Sequence, residues 1–477
     1  MTDVRIATTN GNGVVLDDAV VEGLESGLRG GLIRPEDEGY EEARKLWNGM
    51  IDRRPALIVR AADEADVIAA VNFAREHAVL AAVRGGGHNV AGTASADGGL
   101  VIDLSAMKDI RVDPERRTVR AGAGVTIGEL DAETQKYGMA TPMGVVSETG
   151  IAGLTLNGGI GHLRRKHGLS SDNLVSADLV TADGRFVTAS ESENADLFWG
   201  IRGGGGNFGV VTTFEYRLHP VGPEVMFAFV LYPGDRAKEV LRFGEEYVGQ
   251  APDEVSPVGV LGRVPHDEMF PEEWHGEQYV LFLAMYAGPV EEGEKVLAPL
   301  RELGDPIADF SGLMPYTEAQ KLLDEDYPDG MRYYWKSVNV ASLGDEAIEQ
   351  LMAYAEAAPS HHSTIDIWYQ GGAMGRVGAG ETAFGDRSAP ILLGVEANWE
   401  EPQDDEANVA WARESVAGMR RFSDGGIYLN FPGFIEEGQE MMRDAYGENY
   451  GRLVALKDEY DPENLLRMNQ NVKPTTS

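Results

Sequence analysis

The period of hydrophobic and polar positions changes several times along the chain, and the changes mark its organisation. Over residues 64–77, Val67, Ile68, Val71, Phe73 and Ala74 recur at helical spacing and predict an amphipathic helix. Residues 36–47 read the same way. Around these lie short β-branched runs at 79–84, 100–104, 118–121, 177–181 and 210–218, which predict strands. The first 219 residues are thus an α+β unit. After His219-Pro220 the texture changes. Apolar runs at 225–232, 278–286, 333–340, 364–369 and 390–399 alternate with helical stretches at 236–247, 292–302 and 345–358. This predicts a second sheet covered by helices on one side. The tail, 436–466, reads as helical around Tyr446-Gly447 and breaks at Asp461-Pro462; residues 475–477 read as disordered.

Length and composition narrow the function classes. At 477 residues the chain holds two domains, or one large domain with a long insertion. Its longest apolar runs, such as 279–286, fall well short of the roughly 20 residues of a membrane-spanning helix. Met1 to Asn12 carries neither a basic nor an apolar leader segment, so cytoplasmic residence is expected. The absence of cysteine excludes disulfides, thiolate metal sites and cysteine nucleophiles. With 78 acidic against 41 basic residues the formal charge is -37, which argues against nucleic-acid or anionic-membrane partners. Such a charge repels itself unless salt screens it, so a halophilic protein is expected over a merely acidic mesophilic one.

Fifty-nine glycines concentrate in three places. The first is Arg84-Gly85-Gly86-Gly87-His88-Asn89-Val90-Ala91-Gly92, directly after a predicted strand. Consecutive glycines let successive backbone N–H groups turn toward a diphosphate with no side chain in the way, which leaves His88 at the ligand's edge. The second runs from Gly150 through Gly153, Gly159 and Gly161 to Asp172-Asn173-Leu174, and the third covers 199–211, ending in Gly209-Val210-Val211. Neither a Rossmann fingerprint nor a Walker loop is present, so the cradle is of another kind. His162, His167, His361 and His362 lack metal-site spacing and no HExxH occurs, so no metal is expected.

In family order these loops, Tyr40, Gly206-Asn207-Phe208-Gly209, Tyr428-Leu429-Asn430 and Asn469-Gln470-Asn471 resemble a berberine-bridge-enzyme-like flavoprotein of the vanillyl-alcohol oxidase superfamily, over nearly the whole chain. The resemblance implies a two-part FAD-binding domain, 1–219 and 422–477, around an inserted substrate domain, 220–421. It implies an FAD-dependent oxidoreductase acting on a small molecule, with oxygen or another acceptor reoxidising the cofactor. The FAD site would draw on Arg84, Gly85, Gly86, Gly87, His88, Asn89, Gly92, Thr149, Gly150, Gly153, Gly159, Gly161, Asn173, Val210, Val211, Tyr428, Asn430 and Asn469. His88 would be bonded to the flavin 8α-methyl. Many relatives carry a second, cysteinyl link; Val146 stands there in this chain, so a single histidyl bond is expected. Thr149 would lie near the flavin's reactive carbon, either gating oxygen or hydrogen-bonding the ring. His167 is placed with the flavin-side loop.

On the substrate side, hydride transfer from a C–H next to oxygen or nitrogen needs a base for the heteroatom proton. Along 391–399 strand alternation puts Gly394, Glu396 and Asn398 on one face, and a Glu flanked by Val395 and Ala397 is odd unless that face meets a cavity. Glu396 is the expected base, and Tyr428, read on a strand face shared with Asn430, is the second candidate, since Phe431 stands where the family often has a tyrosine. Trp335 and Gln370 end or line aromatic runs that serve either as core or as substrate contacts. A carbohydrate or secondary alcohol is the first donor expected. An amine, an aromatic metabolite undergoing oxidative cyclisation, and a flavin-holding binding protein are the alternatives.

Overall fold

The computed structural model describes residues 3–476. In the N-terminal region, Leu57–Arg60, Leu100–Asp103 and Ala81–Arg84 form a parallel set with Gly31–Ile33 added antiparallel at one edge. The helix Glu64–Glu76 crosses between Leu57–Arg60 and Ala81–Arg84; Asp63 caps it by accepting the N–H groups of Ala65 and Asp66. Beside this lies an antiparallel sheet in the order Phe186–Ser190, Leu174–Thr181, Gly209–Arg217, Thr118–Gly122, Ile110–Asp113. One apolar core joins residues between Ile6 and Leu218 to residues between Leu429 and Val472, so both ends of the chain build the same body.

The intervening residues form an eight-stranded antiparallel sheet. Its path runs Ala308–Asp309, Glu224–Pro233, Gln278–Tyr286, Val255–Arg263, Thr364–Tyr369, Ile391–Trp399, Arg332–Val340, and Gly312–Pro315 also pairs with Glu224–Pro233. Alternation assigns the faces. Ile365, Ile367, Val395, Ala397 and Tyr334 pack under the helices Ala237–Gln250, Val290–Arg301, Asp345–Glu356 and Asp405–Met419. The opposite face, with Trp368 and Leu392, meets Ile160, Leu163, Leu169 and Tyr428 of the first body. Arg164 fastens this contact from within, donating to the carbonyls of Tyr369 (3.1 and 2.8 Å), Gly161 and Pro257.

Several local expectations differ from the structure. Only Tyr40–Ala43 is helical within 36–47, because Gly39 enters it in the left-handed region and Tyr40 is pinned by its hydroxyl to the Pro55 carbonyl. Val255–Arg263 is a central strand whose Pro257, Gly259 and Gly262 read as breakers. The helix Asp405–Met419 is masked in sequence by Asn408 and Ser415 on its inward side. Tyr428–Phe431 is a turn rather than a strand. Thr475 is tied to Asp458 through both backbone and hydroxyl; Ser477 lies outside the described residues.

Candidate active site

A long cavity lies between the two bodies. One stretch is walled by the loops Gly85 to Asn89 and Gly144 to Leu156, by Gly206, Val210 and Val211, and by Met468, Asn469 and Gln470. The loops meet backbone to backbone: a Cβ on Gly86 would stand 2.5 Å from the Gly150 nitrogen, and one on Gly150 would stand 2.4 Å from that of Gly86. Only glycine permits this approach. Among the described residues no Lys or Arg lines the cavity, so a diphosphate there would rest on backbone N–H groups.

His88 lies in this wall with its ring stacked on Trp47, centroids 4.0 Å apart, and Trp47 stacks on Tyr333 at 3.7 Å. The Trp47 indole donates to the Tyr327 carbonyl (2.8 Å), and Asn48 donates to the carbonyls of Val90 (2.8 Å) and Tyr333 (2.9 Å). The histidine loop is thus laced to the edge strand of the second sheet. Burial pushes the His88 imidazole down to about 4, so it is neutral near pH 7, and its buried Nε2 has no hydrogen-bond partner.

The other stretch is aromatic and acidic. Trp335, Tyr327, Trp368, Phe431, Leu323 and Leu392 surround Glu396 and Asp366. Glu396, 2% exposed, accepts a hydrogen bond from the Tyr327 hydroxyl (2.8 Å). Asp366, 5% exposed, sits on the neighbouring strand paired opposite Gly394, which puts the two carboxyls diagonally across one sheet face. Burial pushes both upward, most strongly Glu396, whose pKa the Asp366 charge and a carboxyl–carboxyl hydrogen bond raise further; the Tyr327 bond opposes this. Two buried carboxyls in this relation titrate as a pair. Trp335 is held by its indole N–H to Asn398 Oδ1 (2.7 Å).

Tyr428 and Asn430 join the two stretches. The Tyr428 hydroxyl accepts from the Ile160 N–H (3.1 Å) and from Asn430 Nδ2 (2.8 Å), and its backbone N–H donates to Ser337 Oγ (2.9 Å). Five buried polar atoms of the wall lack a partner: His88 Nε2, Asn157 Oδ1, Asn469 Oδ1, Asp366 Oδ1 and Trp368 Nε1. Buried polar groups are seldom left so, and a polar ligand in the cavity would complete these five.

The structure therefore brings together Gly85, Gly86, Gly87, His88, Asn89, Thr149, Gly150, Gly153, Val210, Val211, Tyr428, Asn430, Asn469, Trp335 and Glu396. It places seven expected residues outside the wall. Arg84 turns away to pair with Asp103 (2.6 Å) and the Ala43 carbonyl. Gly92, Gly159 and Gly161 pack against Ile51, Ser170 and the Met143 carbonyl, and Asn173 bonds the carbonyls of His167 and Leu169. Gln370 lines a separate surface pocket with Arg165 and Arg387. His167 stacks on His219 at 3.8 Å, outside the cavity wall. Among the described residues no cluster of His, Asp and Glu could hold a metal ion, and no helix is long and apolar enough to cross a membrane.

Trp47, Tyr327, Asp366 and Asn157 were missed. Asp366 carries the same signal as Glu396, an acid between two inward apolar residues, Ile365 and Ile367, of an alternating strand. Trp47 has no comparable signal, since an aromatic at the end of an amphipathic run reads as core.

Residues 55–190 match a family model described as an FAD binding domain, and residues 427–473 one described as berberine and berberine like. An FAD-linked oxidoreductase of Dictyostelium discoideum is 32% identical over 452 residues, covering 94% of this chain and 95% of that protein. Among solved structures, 6-hydroxy-D-nicotine oxidase from Arthrobacter nicotinovorans superposes with a TM-score of 0.83 at 30% identity, covering 94% of this chain and 98% of that one. Xylooligosaccharide oxidase from Myceliophthora thermophila gives 0.82 at 25% identity, covering 96% and 100%.

Proposed function

The chain belongs to the berberine-bridge-enzyme-like FAD-linked oxidoreductases, and from that footing we propose that it oxidises a small substrate at a C–H next to a hydroxyl or amine, on an FAD tethered through His88 alone. The observation that carries this reading is the row of unpartnered polar atoms running from the glycine loops to the carboxyl pair. The residues suit FAD: the Gly86–Gly150 contact leaves bare backbone for the diphosphate, and Asn157 and Asn469 retain free carbonyl oxygens. When bound, the flavin supplies a hydride acceptor, which oxygen or another acceptor then regenerates.

The chain's own residues do the rest. A neutral His88, held flat by Trp47, presents an imidazole nitrogen able to attack an electron-poor ring substituent. Val146 lines the cavity but offers no sulfur for a second bond. The Asp366–Glu396 pair takes the heteroatom proton as the C–H bond breaks, and Tyr327 holds Glu396 in place. Trp335, Trp368 and Phe431 exclude water from that end. Tyr428 is a positioning residue here: burial holds it as a neutral phenol, and its hydroxyl oxygen accepts from Ile160 and Asn430.

The test is acid precipitation of purified protein followed by anaerobic mixing with alcohols, sugars and amines. Yellow colour held in the pellet and bleaching of the flavin by a donor are expected. Colour washing into the supernatant would remove the His88 bond; protein purified without flavin would remove the whole reading.

A further inference from the structure

We infer that the surface pocket walled by Arg165, at the junction of the two bodies, is a binding site for a small organic carboxylate. The inference goes beyond the oxidoreductase reading, because this pocket shares no wall residue with the cavity described above. Its wall takes Arg165 from the first body, and from the second the end of the helix Ala237–Gln250 and the turn Gln370 to Gly372 that follows Thr364–Tyr369. A volume of about 400 Å³ has room for a small metabolite rather than a lone ion.

Arg165 is 6% exposed and, among the described residues, forms no ion pair, whereas the other two guanidinium groups of the wall are paired, Arg376 with Asp253 and Arg387 with Asp172, both at 2.6 Å. Its hydrogen bonds leave one edge underused. Nη1 donates to the Gln370 carbonyl at 2.6 Å, but Nη2 reaches the carbonyls of Val248 and Ala251 only at 3.5 and 3.4 Å, and the buried Nε has no acceptor. Nε and Nη2 form the edge that a carboxylate meets side-on with both oxygens. The acids nearby are engaged elsewhere. Glu245, in the wall, accepts the Leu343 N–H (3.2 Å), and Asp253, whose charge also acts on Arg165, is the partner of Arg376. The C-terminus of the helix Ala237–Gln250 supplies about half a negative charge, so part of the buried positive charge stays uncompensated, at a cost that a bound anion offsets. A remainder of this size matches the single charge of a carboxylate and not the near-double charge of a phosphate monoester. Val248, Pro390 and Ile391 in the same wall give a hydrocarbon body an apolar surface.

The experiment titrates the flavin-loaded enzyme calorimetrically at about 1 M sodium chloride, where the repulsive field of the acidic surface is screened and buried pairs are screened much less. The probes are pentanoate, its uncharged isostere pentanamide, and inorganic phosphate. Saturable binding of pentanoate is expected, at least about tenfold tighter than pentanamide, as for a charge-assisted pair. Gly249 lines the pocket and a Cβ there meets nothing within 4 Å, so Gly249→Asp and Gly249→Asn both fold and differ only in the charge they add. Gly249→Asp should weaken pentanoate at least about tenfold relative to Gly249→Asn. Arg165→Lys, which keeps the charge and loses the two-donor edge, should weaken it as well. Absent or equal binding of pentanoate and pentanamide overturns the inference, as does equal affinity in the two Gly249 variants. Phosphate binding more tightly than pentanoate overturns the carboxylate assignment. Flavin content and turnover enter none of these readings, so the oxidoreductase reading stands or falls separately.

Discussion

Trp47 lies almost parallel to His88, 17° between ring planes, and is itself backed by Tyr333 at 11°. The stack fixes the imidazole plane from a segment 41 residues earlier in the chain and from a strand of the other body. A tethering nucleophile gains from such fixation, because a ring free to rotate samples the bonding geometry rarely. Trp47→Leu should therefore fold and bind FAD yet carry a smaller covalently held fraction, with the remainder released by acid. His88→Ala should release all of it. The fraction of yellow colour in the acid pellet measures both.

The carboxyl pair sets the pH response. Burial raises both carboxyls above the ordinary carboxylate range; the Asp366 charge raises Glu396 further, Asp326 adds repulsion to both, and the Tyr327 hydroxyl opposes the rise at Glu396. The pair accepts a proton only while it carries a negative charge, so anaerobic flavin reduction should slow as pH falls through that raised value. Glu396→Gln should slow reduction by about 10²–10⁴-fold, the usual worth of a general base. Tyr327→Phe should act in the same direction and less. Unchanged reduction in Glu396→Gln would remove Glu396 from the mechanism.

Gly86→Ala places a methyl against the Gly150 backbone at 2.5 Å, and Gly150→Ala does the reverse. Neither neighbour is a side-chain end that can swing aside, so the loops must part. The expected outcome is folded protein with little or no flavin, read from the ratio of visible to ultraviolet absorbance. Gly23→Ala, outside the cavity wall and where a Cβ meets nothing within 4 Å, is the control and should purify yellow.

What was legible in the sequence follows from the range of the interactions involved. Alternation placed Glu396 on the cavity face because strand geometry is local, and it marks Asp366 on Thr364–Tyr369 by the same rule. The glycine loops were legible because three adjacent glycines serve close backbone approach. Arg84 was misplaced since a guanidinium after a strand has the chemistry for phosphate, and only the fold reveals that the buried Asp103 claims it. The Trp47–His88 stack and the Tyr327–Glu396 bond depend on how two bodies dock, which no local period encodes.

The net charge of -37 leads to a prediction about salt. At about 1 M salt the Debye length is roughly 3 Å, against about 10 Å at 0.1 M, so repulsion among exposed carboxylates is largely removed. The melting temperature should rise steadily from 0.1 to 1 M sodium chloride. A melting temperature that is flat or falls over that range would show that local ion pairs, such as Arg332 with Asp405, already offset the repulsion.

Asp131 supplies a contrary pH dependence of stability. It lies in the helix Ile127–Thr134, 1% exposed, with both carboxyl oxygens buried and unpartnered. Burial alone raises its pKa well above the usual value, and the neighbouring titratable group it acts on, Tyr316, stays a neutral phenol. The folded state thus keeps a proton that the unfolded chain gives up near pH 4. Its contribution is fully present below that pH and is lost as pH rises toward the raised folded value. Asp131→Asn does not titrate, so its melting temperature relative to wild type should climb from near zero difference at pH 4 to a gain of a few degrees at pH 8. A difference that is the same at both pH values would show that Asp131 does not carry a raised pKa in the folded protein.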